Sequence, residues 1–137
     1  MAKISRSLTE LVALRAGRRC EYCHAPQELT GQTFHVDHII PLSAGGRTIP
    51  DNLCFACSHC NIAKRNLMRW IDSKTGKRVR LFNPRVDDWN GHFRWSSDWK
   101  RLTGQSAIGR ATIDALKMND SLLQEARPFW RFAGRLP

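Results

Sequence analysis

Two Cys-x-x-Cys pairs, Cys20-Glu21-Tyr22-Cys23 and Cys57-Ser58-His59-Cys60, constrain this chain more than any other feature of its sequence. Thiolates are soft ligands suited to tetrahedral zinc, and a two-residue gap lets one tight turn aim both sulfurs at a single ion. Two such pairs complete a four-thiolate shell, so structural Zn²⁺ on Cys20, Cys23, Cys57 and Cys60 is expected. His24 and His59 adjoin these positions and could replace a cysteine, but four thiolates already fill the shell. Disulfides are the weaker reading in a reducing compartment, and a thioredoxin-like redox motif would need a βαβ pattern that neither pair has. Residues 24–56 form a longer insert than the roughly 15–20 residues of common zinc ribbons, so a substantial element lies between the knuckles. Cys54 is left over; within Leu53-Cys54-Phe55-Ala56 it is expected to be a buried, inert thiol.

Charge adds a second constraint. The chain has 137 residues, with 22 Lys plus Arg against 12 Asp plus Glu, giving +10, and a sequence pI near 10.2. Residues 1–19 carry net +4, 61–80 net +6 and 81–137 net +3, whereas 20–60 carry net −3. A locally acidic centre between basic arms fits a cation site inside a phosphate-binding surface. A solubilising basic surface is the plainer reading. With 42% hydrophobic and 25% charged residues, the chain is neither disordered nor low in complexity. It has no run of the roughly 18–20 apolar residues a membrane span needs and no signal-peptide pattern, so a cytoplasmic protein without membrane association is expected.

Local patterns supply a coarse map. Ser7-Leu8-Thr9-Glu10 reads as a capping box for a helix ending at Gly17. Thr33–Ile40 reads as a strand stopped by Pro41, Ser43–Asn52 as a loop, and Leu53–Ala56 as a second short strand. A helix is expected from Ser58 to about Trp70, then a turn at Asp72–Lys77 between two short extended pieces. Two more helical zones follow, about Arg110–Met118 and from a Ser121-x-x-Gln124 capping box to Pro128.

Between the knuckles lie groups of a different chemistry. Asp37 and His38 end the first strand, Asn52 precedes the second, and Asn61 follows the last cysteine. Neighbours on a strand point to opposite faces, so Asp37 can ligate a cation while His38 reaches another side of the same phosphate. Imidazole is the side chain best suited to take a proton near neutrality. The oxygens of Asp37 and Asn61 suit Mg²⁺ or Mn²⁺ better than zinc. Lys64 and Arg65, three and four residues after Asn61, would share its helix face and meet the substrate backbone.

The run Cys20-x-x-Cys23, His35-Val36-Asp37-His38-Ile39-Ile40-Pro41-Leu42, Gly45-Gly46, Asp51-Asn52-Leu53 and Cys57-x-x-Cys60-Asn61-x-x-Lys64 resembles the HNH endonucleases, with a ββα-metal motif and zinc knuckles over about residues 8–70. The resemblance implies an α+β fold: a small zinc-stabilised HNH core with an N-terminal helix and a mixed, mostly helical C-terminal extension. Residues 1–72 would be the nuclease domain and 73–137 an extension packing on it. It implies metal-dependent hydrolysis of nucleic-acid phosphodiesters, leaving 5′ phosphate and 3′ hydroxyl; DNA is expected ahead of RNA as the partner, with RNA kept open. His38 would be the general base, Asp37 and Asn61 the ligands of one catalytic Mg²⁺ or Mn²⁺, and Asn52 the residue that holds the loop and orients the base. Asn61 stands where many members have histidine.

Other readings stay beside these. His35 could be a neighbour of the site, an extra ligand or a surface strand histidine. Asn52 could simply cap a turn. Lys64, Arg65 and Arg47 could be phosphate contacts or solvated cations. The aromatic cluster of residues 82–99 reads as a small core in preference to a base-stacking platform. For the whole chain, the alternatives are a noncatalytic zinc-knuckle module that binds nucleic acid and a metal-buffering or redox protein; a homodimer is compatible with the nuclease reading.

Overall fold

The computed structural model describes residues 4–135, and the chain separates into two compact units, residues 1–66 and 67–137. The division falls after Asn66 and not at 72/73, because Arg69–Ile71 pairs with Arg78–Arg80 and so belongs to the second unit.

In the first unit, α1 (Arg6–Arg15) is capped by Ser5, whose hydroxyl accepts from the Leu8 amide at 3.2 Å. The cap lies two residues before the expected Ser7, since Ser5 has the extended backbone a cap requires. Val12 and Ala13 face inward, and the Arg15 guanidinium donates to the Leu53 carbonyl at 2.7 Å. After the first knuckle and a single turn, α2 (Gln27–Thr30), the chain enters β1 (His35–His38), which pairs antiparallel with β2 (Leu53–Ala56). Register puts Asp37 opposite Cys54 and His38 opposite Leu53. Every residue of β2 is buried, which accounts for its unbroken apolar run. Glu21 ties the first knuckle to β2: its amide donates to the Phe55 carbonyl and its carboxylate accepts from the Phe55 amide, both at 2.8 Å.

Cys57 opens α3 (Ser58–Lys64), its Sγ accepting from the Cys60 amide at 3.4 Å. The expected helix to Trp70 stops six residues early. Arg65 has φ +50°, a conformation helices cannot continue through, and Trp70 joins a strand. In the loop between β1 and β2, Gly46 has no room for a side chain. A Cβ there would lie 1.7 Å from the Ile40 carbonyl oxygen and 2.9 Å from Asn52 Nδ2.

The second unit begins with the hairpin of β3 (Arg69–Ile71) and β4 (Arg78–Arg80). Its turn is organised by Asp72, whose carboxylate accepts from the Lys74 amide, the Thr75 amide and hydroxyl, and Arg110 Nε and NH2. One turn, α4 (Trp89–His92), leads into a second hairpin, β5 (Phe93–Trp95) with β6 (Leu102–Gly104), followed by α5 (Ala107–Ala115) and α6 (Ser121–Phe132). The core holds Leu81, Phe82, Phe93, Leu102, Ile113, Leu116, Met118 and Trp130. Ser106 caps α5, which starts at Ala107, three residues earlier than the expected zone. Asp120 precedes α6 without a side-chain cap, and the helix runs through Pro128 to Phe132. Proline removes one amide donor, but Arg127 and Trp130 on either side of it are buried, and that packing carries the helix onward. Among the described residues, no helix is long and apolar enough to cross a membrane.

Candidate active site

The four knuckle cysteines meet as their spacing requires. All are buried, and their sulfurs lie within 4.8 Å of one another. Cys23 Sγ and Cys57 Sγ are 3.7 Å apart. A tetrahedron with Zn–S bonds of about 2.3 Å has edges of about 3.8 Å, so the cage fits zinc. Each knuckle turn also presents an amide to sulfur: Cys23 N donates to Cys20 Sγ and Cys60 N to Cys57 Sγ, both at 3.4 Å. Hydrogen bonds from Cys20, Cys23 and Cys60 hold the Cys57 thiol far below its ordinary pKa, while those of Cys23 and Cys60 are pushed up, Cys20 being the leading partner in each case. A divalent cation in the cage would favour the thiolate form of all four. Neither His24 nor His59 belongs to the cluster; burial pulls His24 down to about 4, keeping it neutral.

Beside the knuckles lies an open cavity of about 510 Å³, lined by Asp37 and His38 from β1, Leu42 and Ser43 from the loop, and Asn61 and Arg65 from α3. The expected carboxylate, imidazole and carboxamide therefore face one space. His38 Nε2 lies 2.9 Å from Thr48 Oγ1. Asn52 clamps the loop: Oδ1 accepts from the Ile40 amide at 2.8 Å, and Nδ2 donates to the carbonyls of Ile40 (3.0 Å) and Arg47 (2.9 Å). It bonds backbone, and the ring of His38 is bonded by Thr48 instead.

Lys64 departs from its expected place. Its ammonium does not face outward with Arg65. The side chain is 2% exposed and Nζ lies 3.0 Å from Asp37 Oδ2, with further bonds to the carbonyls of His38 (3.2 Å) and Ile39 (3.3 Å). Lys64 follows Cys57 and Cys60 at helical spacing on the inward face of α3, and a buried carboxylate there requires a cation. Arg65 is exposed and lines the cavity; Arg47 is exposed and lies outside its lining. His35 is exposed, with its ring 3.2 Å from Ser58 Oγ, and it too lies outside the lining.

Sequence reading missed Tyr22 and Thr48 at the site, and the contacts that Cys54 and Lys64 make with Asp37. Tyr22 is fully buried and donates to Asp37 Oδ2 at 3.0 Å. Burial, then the nearby Cys54 and Asp37, push its phenol well above the ordinary range, so it acts as a donor. Cys54 is an inert thiol as expected, raised by burial and by Asp37, but it also lies 3.4 Å from Tyr22 Oη and 3.8 Å from Asp37 Oδ2. Hairpin register could have found Cys54, opposite Asp37; the buried charge of Asp37 could have found Lys64. Nothing in the sequence marked Thr48, which loop geometry alone brings to His38.

Residues 20–67 match the family model of the HNH endonucleases. The matched stretch takes in both knuckles, both strands and α3, and with them the residues that line the cavity. No curated protein and no solved structure gives a match. The family points to a nuclease or other nucleic-acid-directed function, and the cysteine cage to zinc binding.

Proposed function

We propose that this protein is a metal-dependent endonuclease that hydrolyses DNA phosphodiester bonds, with His38 as general base and one Mg²⁺ or Mn²⁺ held by Asp37 and Asn61. The observation that carries this reading is the cavity shared by Asp37, His38, Asn61 and Arg65. The donor set suits a hard cation, being carboxylate and carboxamide oxygen on an open, wettable wall. The bonds from Lys64, Tyr22 and Cys54 fall on Asp37 Oδ2, which leaves Oδ1 as the oxygen for the ion. Because Lys64 already balances Asp37, affinity for the ion is weak until a substrate phosphate joins the site.

Each residue has a separable task. In the tautomer this role requires, His38 Nε2–H donates to Thr48 Oγ1 and Nδ1 keeps its lone pair for the proton of the attacking water. Asn52 fixes the loop that carries Thr48 and so acts on His38 at one remove. Arg65, and Arg47 more peripherally, offer guanidinium groups to the flanking phosphates. A divalent cation held by Asp37 and Asn61 would supply charge stabilisation for the phosphate and the departing 3′ oxygen. The products are 5′ phosphate and 3′ hydroxyl, and a homodimer would supply a second cut.

The test is plasmid DNA incubated with the protein, with and without Mg²⁺ or Mn²⁺. Nicking or linearisation that needs the added metal and falls by about 10²–10⁴-fold in His38→Ala supports the reading. Equal cutting by His38→Ala overturns it. DNA retention without cutting in any metal selects the noncatalytic zinc-knuckle module, which explains charge and cysteines but leaves the cavity residues without a task.

A further inference from the structure

The second unit carries an open cleft of about 490 Å³ whose walls include Trp89, Trp95, Trp99, Arg94 and Gln105. Its rings form a series that runs from the core outward. Phe82 and Phe93 are buried, with centroids 5.1 Å apart; Trp89 follows Phe93 at 5.0 Å, Trp95 follows Trp89 at 5.9 Å, and Trp99 follows Trp95 at 6.1 Å. The two phenylalanines are the small core expected of this segment. The three tryptophans are half-buried and line the cleft, which a core does not require.

The outermost ring is held there at a cost. Trp99 has φ +64°, a left-handed backbone that bulky residues rarely adopt. The hairpin loop fixes it: the Trp99 amide donates to the Ser96 carbonyl at 3.0 Å, the Ser96 amide to the Arg101 carbonyl at 2.8 Å, and the Ser96 hydroxyl to Asp98 at 2.6 Å. Glycine would suit this position without strain, so the indole is present for something other than the turn.

Charge narrows the ligand. Between residues 89 and 105 stand Arg94, Lys100 and Arg101, all exposed, against Asp98, whose carboxylate is engaged by the Ser96 hydroxyl and the Lys100 amide. Behind the stack, the Arg127 guanidinium lies 5.1 Å from the Trp95 centroid. No carboxylate lines the cleft, so a cationic ligand of the aromatic-cage kind finds no counter-charge. Flat, sequence-tolerant π faces beside cations suit unpaired bases on a phosphate chain.

We propose that Trp89, Trp95 and Trp99 form a stacking platform for unpaired bases of single-stranded nucleic acid, with Arg94, Lys100 and Arg101 meeting its phosphates. The class of ligand rests on the nucleic-acid reading above; the platform itself uses nothing from the cavity of the first unit.

The experiment measures binding by the full chain, without added Mg²⁺ or Mn²⁺, to a labelled twelve-nucleotide oligo(dT), to an abasic chain of the same length and charge, and to a twelve-base-pair duplex. The oligo(dT) is expected to bind about tenfold or more tightly than the abasic chain, the scale of one or two stacked bases. Trp99→Gly relieves the strained backbone while removing the ring; it should keep the thermal midpoint and lose about tenfold for oligo(dT) but nothing for the abasic chain. Trp99→Phe should retain most of the discrimination. Equal affinity of the unaltered protein for oligo(dT) and the abasic chain overturns the proposal, as does a folded Trp99→Gly that still discriminates. So does a proline-rich peptide that binds the cleft while oligo(dT) is not preferred. Plasmid cleavage reports separately: discrimination without cleavage leaves this platform and removes the nuclease, and cleavage without discrimination does the reverse.

Discussion

Each unit buries one carboxylate beside one cation, and the two pairs are built differently. Asp72, in the second unit, is fully enclosed. Both its oxygens are bonded, by the fork of Arg110 at 2.7 and 3.0 Å and by Lys74 and Thr75 of its own turn. Such a carboxylate is saturated, and its work is to close a hairpin. Asp37 pairs with Lys64, a point charge rather than a fork, and its bonds gather on one oxygen. Asp72 has both oxygens taken, whereas the partners of Asp37 are one-sided and Asp37 itself lines a cavity, the asymmetry on which its proposed role as a ligand rests. The two units also differ in what holds them. Both bury aromatic and aliphatic side chains, but the first, with Val12, Tyr22, Phe34, Leu53 and Phe55, also gathers four cysteine sulfurs, which the described residues of the second do not.

The largest effect should come from removing that cage. Structural zinc contributes an apparent folding energy of about 10–16 kcal/mol in small metallo-domains. Cys57→Ser, or a strong chelator, should therefore collapse amide protection in residues 20–64 while the hairpin closed by Asp72 keeps its own, as hydrogen exchange would show. Equal protection of the first unit with and without zinc would mean that the cage is ornamental and that Asp37 is held by its core alone.

Next is the cation beside each carboxylate. Lys64→Ala leaves Asp37 buried without its cation, with only the neutral donors Tyr22 and Cys54, and breaking such a pair costs about 3–5 kcal/mol. If Asp37 is a metal ligand, millimolar Mg²⁺ or Mn²⁺ should restore part of the loss by replacing the ammonium, raising the melting temperature of this variant. Arg110→Ala should also destabilise the protein, but no divalent ion should rescue it, since Asp72 lies in a closed turn. Rescue of both variants, or of neither, would erase the distinction between the two carboxylates without reference to cleavage.

A shallower difference lies in acid. The hydrogen bonds from Arg110 hold the Asp72 carboxyl well below its ordinary range. A depressed carboxylate binds fewer protons folded than unfolded, so its stabilisation is complete above the unfolded pKa of about 3.9 and is lost as pH falls below it. Asp72→Asn should flatten the acid limb of the second unit's stability profile between about pH 4 and 2, measured by urea unfolding at each pH. An unchanged acid limb would remove the charge-based account of this turn.

How much of this was legible beforehand follows the same division. The cysteine cluster and both strands could be read because ligand chemistry and strand propensity fix residue types and spacings locally, and Asp37, His38 and Asn61 do line one cavity. The inward turn of Lys64 was readable in principle, since it lies on the helix face of Cys57 and Cys60, but amphipathic reasoning assigns lysines outward unless a buried acid has first been recognised. The stop at Arg65 and the passage of α6 through Pro128 were not readable, because tertiary packing overrode helix propensity at both. Trp99 on its left-handed turn likewise depends on a loop network that sequence does not announce.

Thr48 gives the smallest and most specific effect. Its hydroxyl touches neither the proposed metal ligands nor, in this reading, the substrate, only His38 Nε2 at 2.9 Å, so it is a positioning residue. Thr48→Val keeps the shape and removes the partner. One neutral hydrogen bond is worth about 0.5–1.5 kcal/mol, so kcat should fall about two- to tenfold with KM unchanged. The pH profile should carry the diagnostic sign. Without a partner at Nε2 the imidazole populates both tautomers, so a smaller fraction presents its lone pair at Nδ1, and kcat should fall on the plateau of the profile as well as on its acid limb. Thr48→Ser should recover the loss, because the hydroxyl and not the methyl does the work. A variant that instead raises KM and leaves the plateau untouched would place Thr48 on the substrate, and would return the orientation of His38 to the loop clamp made by Asn52.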